Sequence, residues 1–188
     1  MDGTDNESAP SWLTALAAPA RAAAIDATDD VYGGLVGSWD LQVLHYRGQD
    51  VRDARITGEV HFGWALEGRA IQDVWIMPNR ADRAAGRLPR DPLNNMYGTT
   101  LRVWDAALRA WRITWINAAR DHRETQLGRR VGNEIVQTGA RADGQATRWR
   151  FTEITPERFR WIGESLAPDG ATWQLEGQFI ATRMAGRP

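Results

Sequence analysis

Few side chains in this sequence can do chemistry, and their types narrow the choice before any fold is considered. All 23 basic residues are arginine and there is no cysteine. Without lysine there is no internal Schiff base and no P-loop. Without cysteine there is no thiol nucleophile, disulfide, zinc-thiolate or iron–sulfur site. Carboxylates, three histidines, tyrosines, hydroxyls and arginines remain. Among these Asp73 stands out, because in "IQDVWIM" it alternates in phase with Ile71, Trp75 and Met77 and so shares an apolar stripe. Burying a lone carboxylate is costly, so Asp73 is expected to be ion-paired, hydrogen-bonded or neutralised by a raised pKa.

The elements that position Asp73 are strands. From Gly37 to Arg183 the chain shows short alternating runs punctuated by "RGQD", "LEGR", "RADGQ", "TPER" and "APDGA". About ten such runs predict an all-β, up-and-down antiparallel meander, and closure into a β-barrel removes the exposed edges of so long a sheet. Ahead of it, residues 1–10 are expected to be a disordered tail and "WLTALAAPARAAAIDA" a helical stretch interrupted at Pro19. The expected organisation is residues 1–30 as tail and short N-terminal helix, then one barrel domain over 31–188. A loop insertion at 79–95 carries Arg80, Arg83, Arg87 and Arg90; a solvated arginine-rich loop is the simpler reading, an anion-greeting one the alternative.

Paired residues of antiparallel strands share a face, so one face can be propagated around the sheet. The inward set so derived includes His45, Asp73, Trp75, Tyr97, Leu101, Trp115, Asn117, Arg123, Gln137, Trp149, Trp161, Trp173 and Leu175. The outward set includes His61, Arg102, Arg148, His122 and Glu124. An Asp73–Arg123 pair completed by Asn117 and Gln137 is then the simplest arrangement. Trp75, Trp115, Trp149 and Trp161 wall a cavity in which Asn117, Arg123 and Gln137 orient a ring-bearing ligand. If Asp73 instead acts as acid or base, His45 or Tyr97 is its proton partner, although His45 lies level with Met77, four residues along.

The opening "LVGSWDL" is similar to the start of calycin barrels, the lipocalin-like superfamily. "GEVHFGWALEGRAIQDVW", "YGTTLRVWDAALRAWRITWIN" and "FRWIGESLAPDGATWQLEGQFIATR" together resemble a bacterial domain-of-unknown-function family of calycin-like barrels. The resemblance spans about Leu35 to Arg183. It implies a barrel of roughly ten strands with a central cavity, and it brings no established catalytic residues. Polyketide-cyclase cones and helix-grip folds are poorer matches, because the one needs several N-terminal helices and the other a long C-terminal helix.

Scattered histidines give no metal site, "DHRE" is read as a surface pair, and Ser165 in "GESLAPDG" lacks the spacing of a nucleophile elbow. No cofactor is expected; His45 alone could ligate haem, without a haem motif around it. A net charge of −1 gives no long-range attraction for nucleic acid or anionic lipid. The acidic start "MDGTDNESAP" is unlike a signal peptide, and no apolar run reaches membrane-spanning length, so a cytoplasmic location is expected. The expected partner is a small apolar or aromatic molecule, with a homodimer compatible. The function expected first is binding of that molecule in the barrel; the alternative is cofactor-independent isomerase, cyclase or hydrolase chemistry in the same cavity.

Overall fold

The alternating runs build ten long strands: β1 (Gly37–Tyr46), β2 (Thr57–Ala65), β3 (Ala70–Met77), β4 (Met96–Asp105), β5 (Ala110–Asn117), β6 (His122–Val131), β7 (Glu134–Ala140), β8 (Ala146–Thr152), β9 (Arg158–Leu166) and β10 (Trp173–Arg183). The computed structural model describes residues 11–89, 92–120 and 122–185. Each strand pairs antiparallel with the next, and β10 pairs with β1, so the sheet closes and leaves none of the ten as an edge. Two-residue bridges, Ala17–Ala18 on β2 and Gln49–Asp50 on β1, are added outside this ring.

One end of the barrel is plugged by the chain that precedes β1. Ile25, Val31, Tyr32 and Leu35 are buried in the core with Trp39, Trp64 and Trp111. Their polar tips are satisfied: Trp111 Nε1 donates to the Asp29 carbonyl at 2.9 Å and Trp39 Nε1 to the Leu35 carbonyl at 2.8 Å. The alanine-rich run is helical only over α1 (Ser11–Leu16). Beyond it the chain turns to pair with β2, and Ala22 N–H bonds to the Gly68 carbonyl at 3.0 Å; a short alanine-rich helix is marginal in water and tertiary pairing overrides it. Residues 1–10 lie outside the described residues.

The insertion also holds a short helix, α2 (Arg80–Ala84), capped by the Asn79 side chain on Asp82 N–H, where no helix was expected. Its arginines are internally engaged. Arg80 pairs with Glu59 at 2.7 Å, Arg87 with Asp82 at 2.5 Å, and Arg83 donates to the Met77, Pro78 and Met96 carbonyls. Arg90 lies outside the described residues.

The expected faces hold on β2, β3, β5, β7 and β8 and are inverted on β4 and β6. Asp73 pairs with Thr100, Trp115 with both Thr100 and Glu124, and Trp111 with Trp104. Even-numbered residues of β4 and β6 therefore point inward. Two bulges also shift the phase, one on β10 at Glu176, opposite Gly163 and Glu164, and one on β1 at Leu44, opposite Gln178 and Phe179. They turn Trp173 outward, where it lies under the Arg148 guanidinium at 4.2 Å, and leave Leu175 37% exposed; they also bring Tyr46 rather than His45 to the inner side.

Glycine makes room for one wall. Gly163 and Gly177 are direct cross-strand partners, and a Cβ on Gly163 would stand 2.5 Å from Trp161 Cη2. The Trp161 ring thereby lies flat on Phe179, with 5.0 Å between centroids and an 11° interplanar angle. Gly163→Val is expected to displace this ring and destabilise the fold by about 1–3 kcal/mol. Urea denaturation with near-ultraviolet circular dichroism checks it; an unchanged midpoint and spectrum would show that the slot is not tight.

Candidate functional site

At the end opposite the plug the barrel opens into a cavity of about 700 Å³, within the size range of small-molecule sites. Met96, Trp115, Trp149, Trp161 and Phe179 form its inner wall. These rings contact one another edge-on: Trp149 lies 6.2 Å from Trp115 and 5.6 Å from Trp161, at 84° and 62°. Below them a recess of about 60 Å³ reaches Trp75, Thr100 and Arg102. The rim is polar, with Tyr46, Asn117, Arg120, His122, Glu124, Ser165, Arg141 and Glu176.

Beneath the recess lies the partner of Asp73. Arg102 Nη1 donates to Asp73 Oδ2 at 2.6 Å, and Thr100 N–H donates to Oδ1 at 2.8 Å. Arg102 is 1% exposed and Asp73 0%. The guanidinium is further held against aromatic faces, 4.9 Å from the Tyr32 centroid and 5.6 Å from that of Phe62. Arg123, the expected partner, is exposed on the outer side of β6, because β6 runs in the opposite phase.

From Arg102 a buried hydrogen-bond chain runs up to the rim, and its direction can be derived. Arginine only donates, so the Gln137 atom facing Arg102 Nε at 3.3 Å is Oε1, which also accepts from Tyr32 Oη at 3.0 Å. Burial pushes the Tyr32 hydroxyl far above its ordinary pKa and keeps it a neutral donor. Gln137 Nε2 must then donate to Gln126 Oε1 at 3.0 Å, which turns Gln126 Nε2 towards Glu124 Oε1 at 2.9 Å. The Thr147 hydroxyl donates to the same Oε1. Every link points from a cation at the floor to a carboxylate in the cavity wall.

Glu124 is thereby fixed as an acceptor. Burial alone would raise its pKa, but the His122, Thr147 and Gln126 contacts and the Arg141 charge outweigh burial and hold it below the ordinary carboxylate value. Glu59 and Glu164 are held low in the same way, burial again opposing, by Arg80 and by Arg148 with Arg150. A carboxylate whose folded pKa lies below its unfolded one stabilises the fold above the unfolded value, here near 4.5, and that stability is lost as pH falls through the folded value. The thermal midpoint is therefore expected to fall as pH is lowered below about 4.5, less steeply in Glu124→Gln. Equal slopes in the two proteins would contradict this.

Of the other expected site residues, Trp115, Trp149, Trp161 and Asn117 line the cavity, Trp75 lines only the recess, and Gln137 sits behind the wall in the chain just described. Asn117 is not part of the Asp73 pair; its Oδ1 accepts from the backbone of Ala119 at 3.2 Å. Tyr97 stands on the outer side of β4, 46% exposed, with Arg83 over its ring at 5.4 Å. His45 is level with Gln178, turned away from the cavity by the bulge. Conversely His122 and Glu124, expected outside, are at the rim. Sequence reasoning missed Arg102, Gln126 and Thr147 as well; for Arg102 a signal was available in the "DAALR" turn, where Asp105 caps Leu108 N–H and Arg109 takes φ 45° before β5 begins.

A serine–histidine–glutamate cluster on the outer side of the barrel lies away from the cavity. His61 Nδ1 meets Ser38 Oγ at 2.8 Å and its Nε2 lies 3.2 Å from Glu59 Oε2, but Arg80 holds both oxygens of that carboxylate and sets its Nη2 3.1 Å from the same Nε2. Among the described residues no group of three or more histidine or acidic side chains could hold a metal ion, and no helix is long and apolar enough to cross a membrane.

No protein-family model matches this sequence. No curated protein matches it either. Among solved structures the chain is similar to an S-type phycobiliprotein lyase from Guillardia theta, with a TM-score of 0.51 and 12% identity over 85% of this chain and 93% of that one. At that identity the likeness bears on the fold alone. Together with the closed ten-strand up-and-down barrel it supports a calycin-like fold for this chain.

Proposed function

We propose that the barrel binds one small, largely apolar, ring-bearing molecule at its open end. The carrying observation is the cavity itself: about 700 Å³ walled by Trp115, Trp149 and Trp161 with a polar rim. Aromatic walls offer offset and edge-on contacts to a flat ring system, and a few rim groups fix its orientation. The fold likeness to a phycobiliprotein lyase is in keeping with a small-molecule site in such a barrel. We also place the chain with the bacterial calycin-like family that its motifs resemble.

Acid–base catalysis through Asp73, His45 and Tyr97 has less support. Asp73 is capped by Arg102 and Thr100, and neither His45 nor Tyr97 lines the cavity. Binding is expected to quench the indole fluorescence of the wall. Trp149→Ala is expected to weaken a ring-bearing ligand by about tenfold, equivalent to about 1.4 kcal/mol, with a smaller effect on folding because Trp149 is only partly buried. Fluorescence titration of both proteins checks this, and equal affinities would move the ligand away from the wall.

A further inference from the structure

Among the described residues lining the cavity, three buried polar atoms have no hydrogen-bond partner, Glu124 Oε2, Arg120 Nε and Arg141 Nε, and the carboxylate oxygen is the acceptor among them. Glu124 is 4% exposed, and its Oε2 is buried with no hydrogen-bond partner. His122 Nε2 approaches it at 3.4 Å without the alignment of a hydrogen bond. Its other oxygen is occupied by Gln126 and Thr147. The one-way chain from Arg102 prevents the neighbouring amides from turning round to serve Oε2, because reversing any of them would set an oxygen against an oxygen or a donor against Arg102. A buried acceptor of this kind is costly unless something arrives to donate to it.

We propose that Glu124 Oε2 is the polar anchor of the bound molecule, which is a ring-bearing compound that presents a nitrogen-borne proton, an N–H or a protonated amine, to this oxygen. The assignment deepens the proposed function and rests on the cavity being the ligand site. The rival head group is an anion. The cations for it are Arg141, which Glu176 engages through two bonds of 2.9 and 2.6 Å but whose Nε has no partner, and Arg120, whose Nη1 donates to Tyr46 Oη at 3.1 Å and whose Nε has no partner.

A matched pair of probes separates these. 9-Aminoacridine is a flat cation with N–H donors, and acridine-9-carboxylate has the same three rings with an anionic head. Titrated into the unaltered protein at neutral pH and followed by tryptophan quenching, the amino compound is expected to bind about tenfold or more tightly than the carboxylate. Glu124→Gln retains an oxygen for Gln126 and Thr147 but puts an NH₂ in place of Oε2, and it is expected to abolish or reverse that preference. Equal binding of the two probes, preference for the carboxylate, or a preference unchanged in Glu124→Gln overturns the anchor and leaves ring binding in the cavity standing. If neither acridine quenches the wall, the anchor falls together with the proposed function. Should Glu124→Gln not fold, the order of the two probes on the unaltered protein decides.

Discussion

Asp73→Asn is expected to destabilise the protein by about 3–5 kcal/mol, or roughly 6–20 °C in thermal midpoint for a chain of this size. Removing the carboxylate charge leaves Arg102 buried at 1% exposure among aromatic rings with its 2.6 Å partner neutralised. The double variant Asp73→Leu/Arg102→Met is expected to recover most of the loss, because it removes both charges and fills the space with apolar groups. Urea denaturation of Asp73→Leu, Arg102→Met and the double variant forms the cycle. A coupling near zero would mean that the pair is not the fold's internal tie, and that Asp73 is free to act on a ligand.

Trp111→Ala is expected to cost about 3–5 kcal/mol by opening a cavity at the plugged end. Trp111 is fully buried, meets Tyr32 edge-on at 5.4 Å, and holds the Asp29 carbonyl. Its loss frees the segment that closes the barrel floor. Ligand affinity is expected to change much less than in Trp149→Ala, since Trp111 does not line the open cavity. The tryptophans thus divide by end of the barrel, those at the plug for stability and those at the mouth for binding. Comparable losses of affinity in the two variants would refute that division.

The barrel was legible in the sequence because alternation and turn chemistry are local signals that a closed antiparallel sheet obeys throughout. The cavity wall was legible for the same reason: Trp115, Trp149 and Trp161 fall on the apolar phase of β5, β8 and β9. The polar spine was not. On β4 the inward residues are Met96, Gly98, Thr100 and Arg102, while Tyr97, Leu101 and Val103 face out, so apolar content points to the wrong face. On β6 the inward His122, Glu124 and Gln126 likewise read as a solvent face. Each of these polar residues is tolerated inside only because another strand supplies its partner: Asp73 for Arg102, Gln137 for Gln126, Thr147 for Glu124. Such reciprocity is invisible to a single strand's pattern, and a one-residue change of phase at a turn suffices to hide it.

The measurement that bears most directly on the central claim is native mass spectrometry of the protein after incubation with small-molecule extract from its host, alongside Trp149→Ala. One ring-bearing compound is expected to be retained at one per chain by the unaltered protein and lost or strongly depleted in the variant. Retention of nothing, or equal retention by both proteins, would contradict a ligand site at the tryptophan wall.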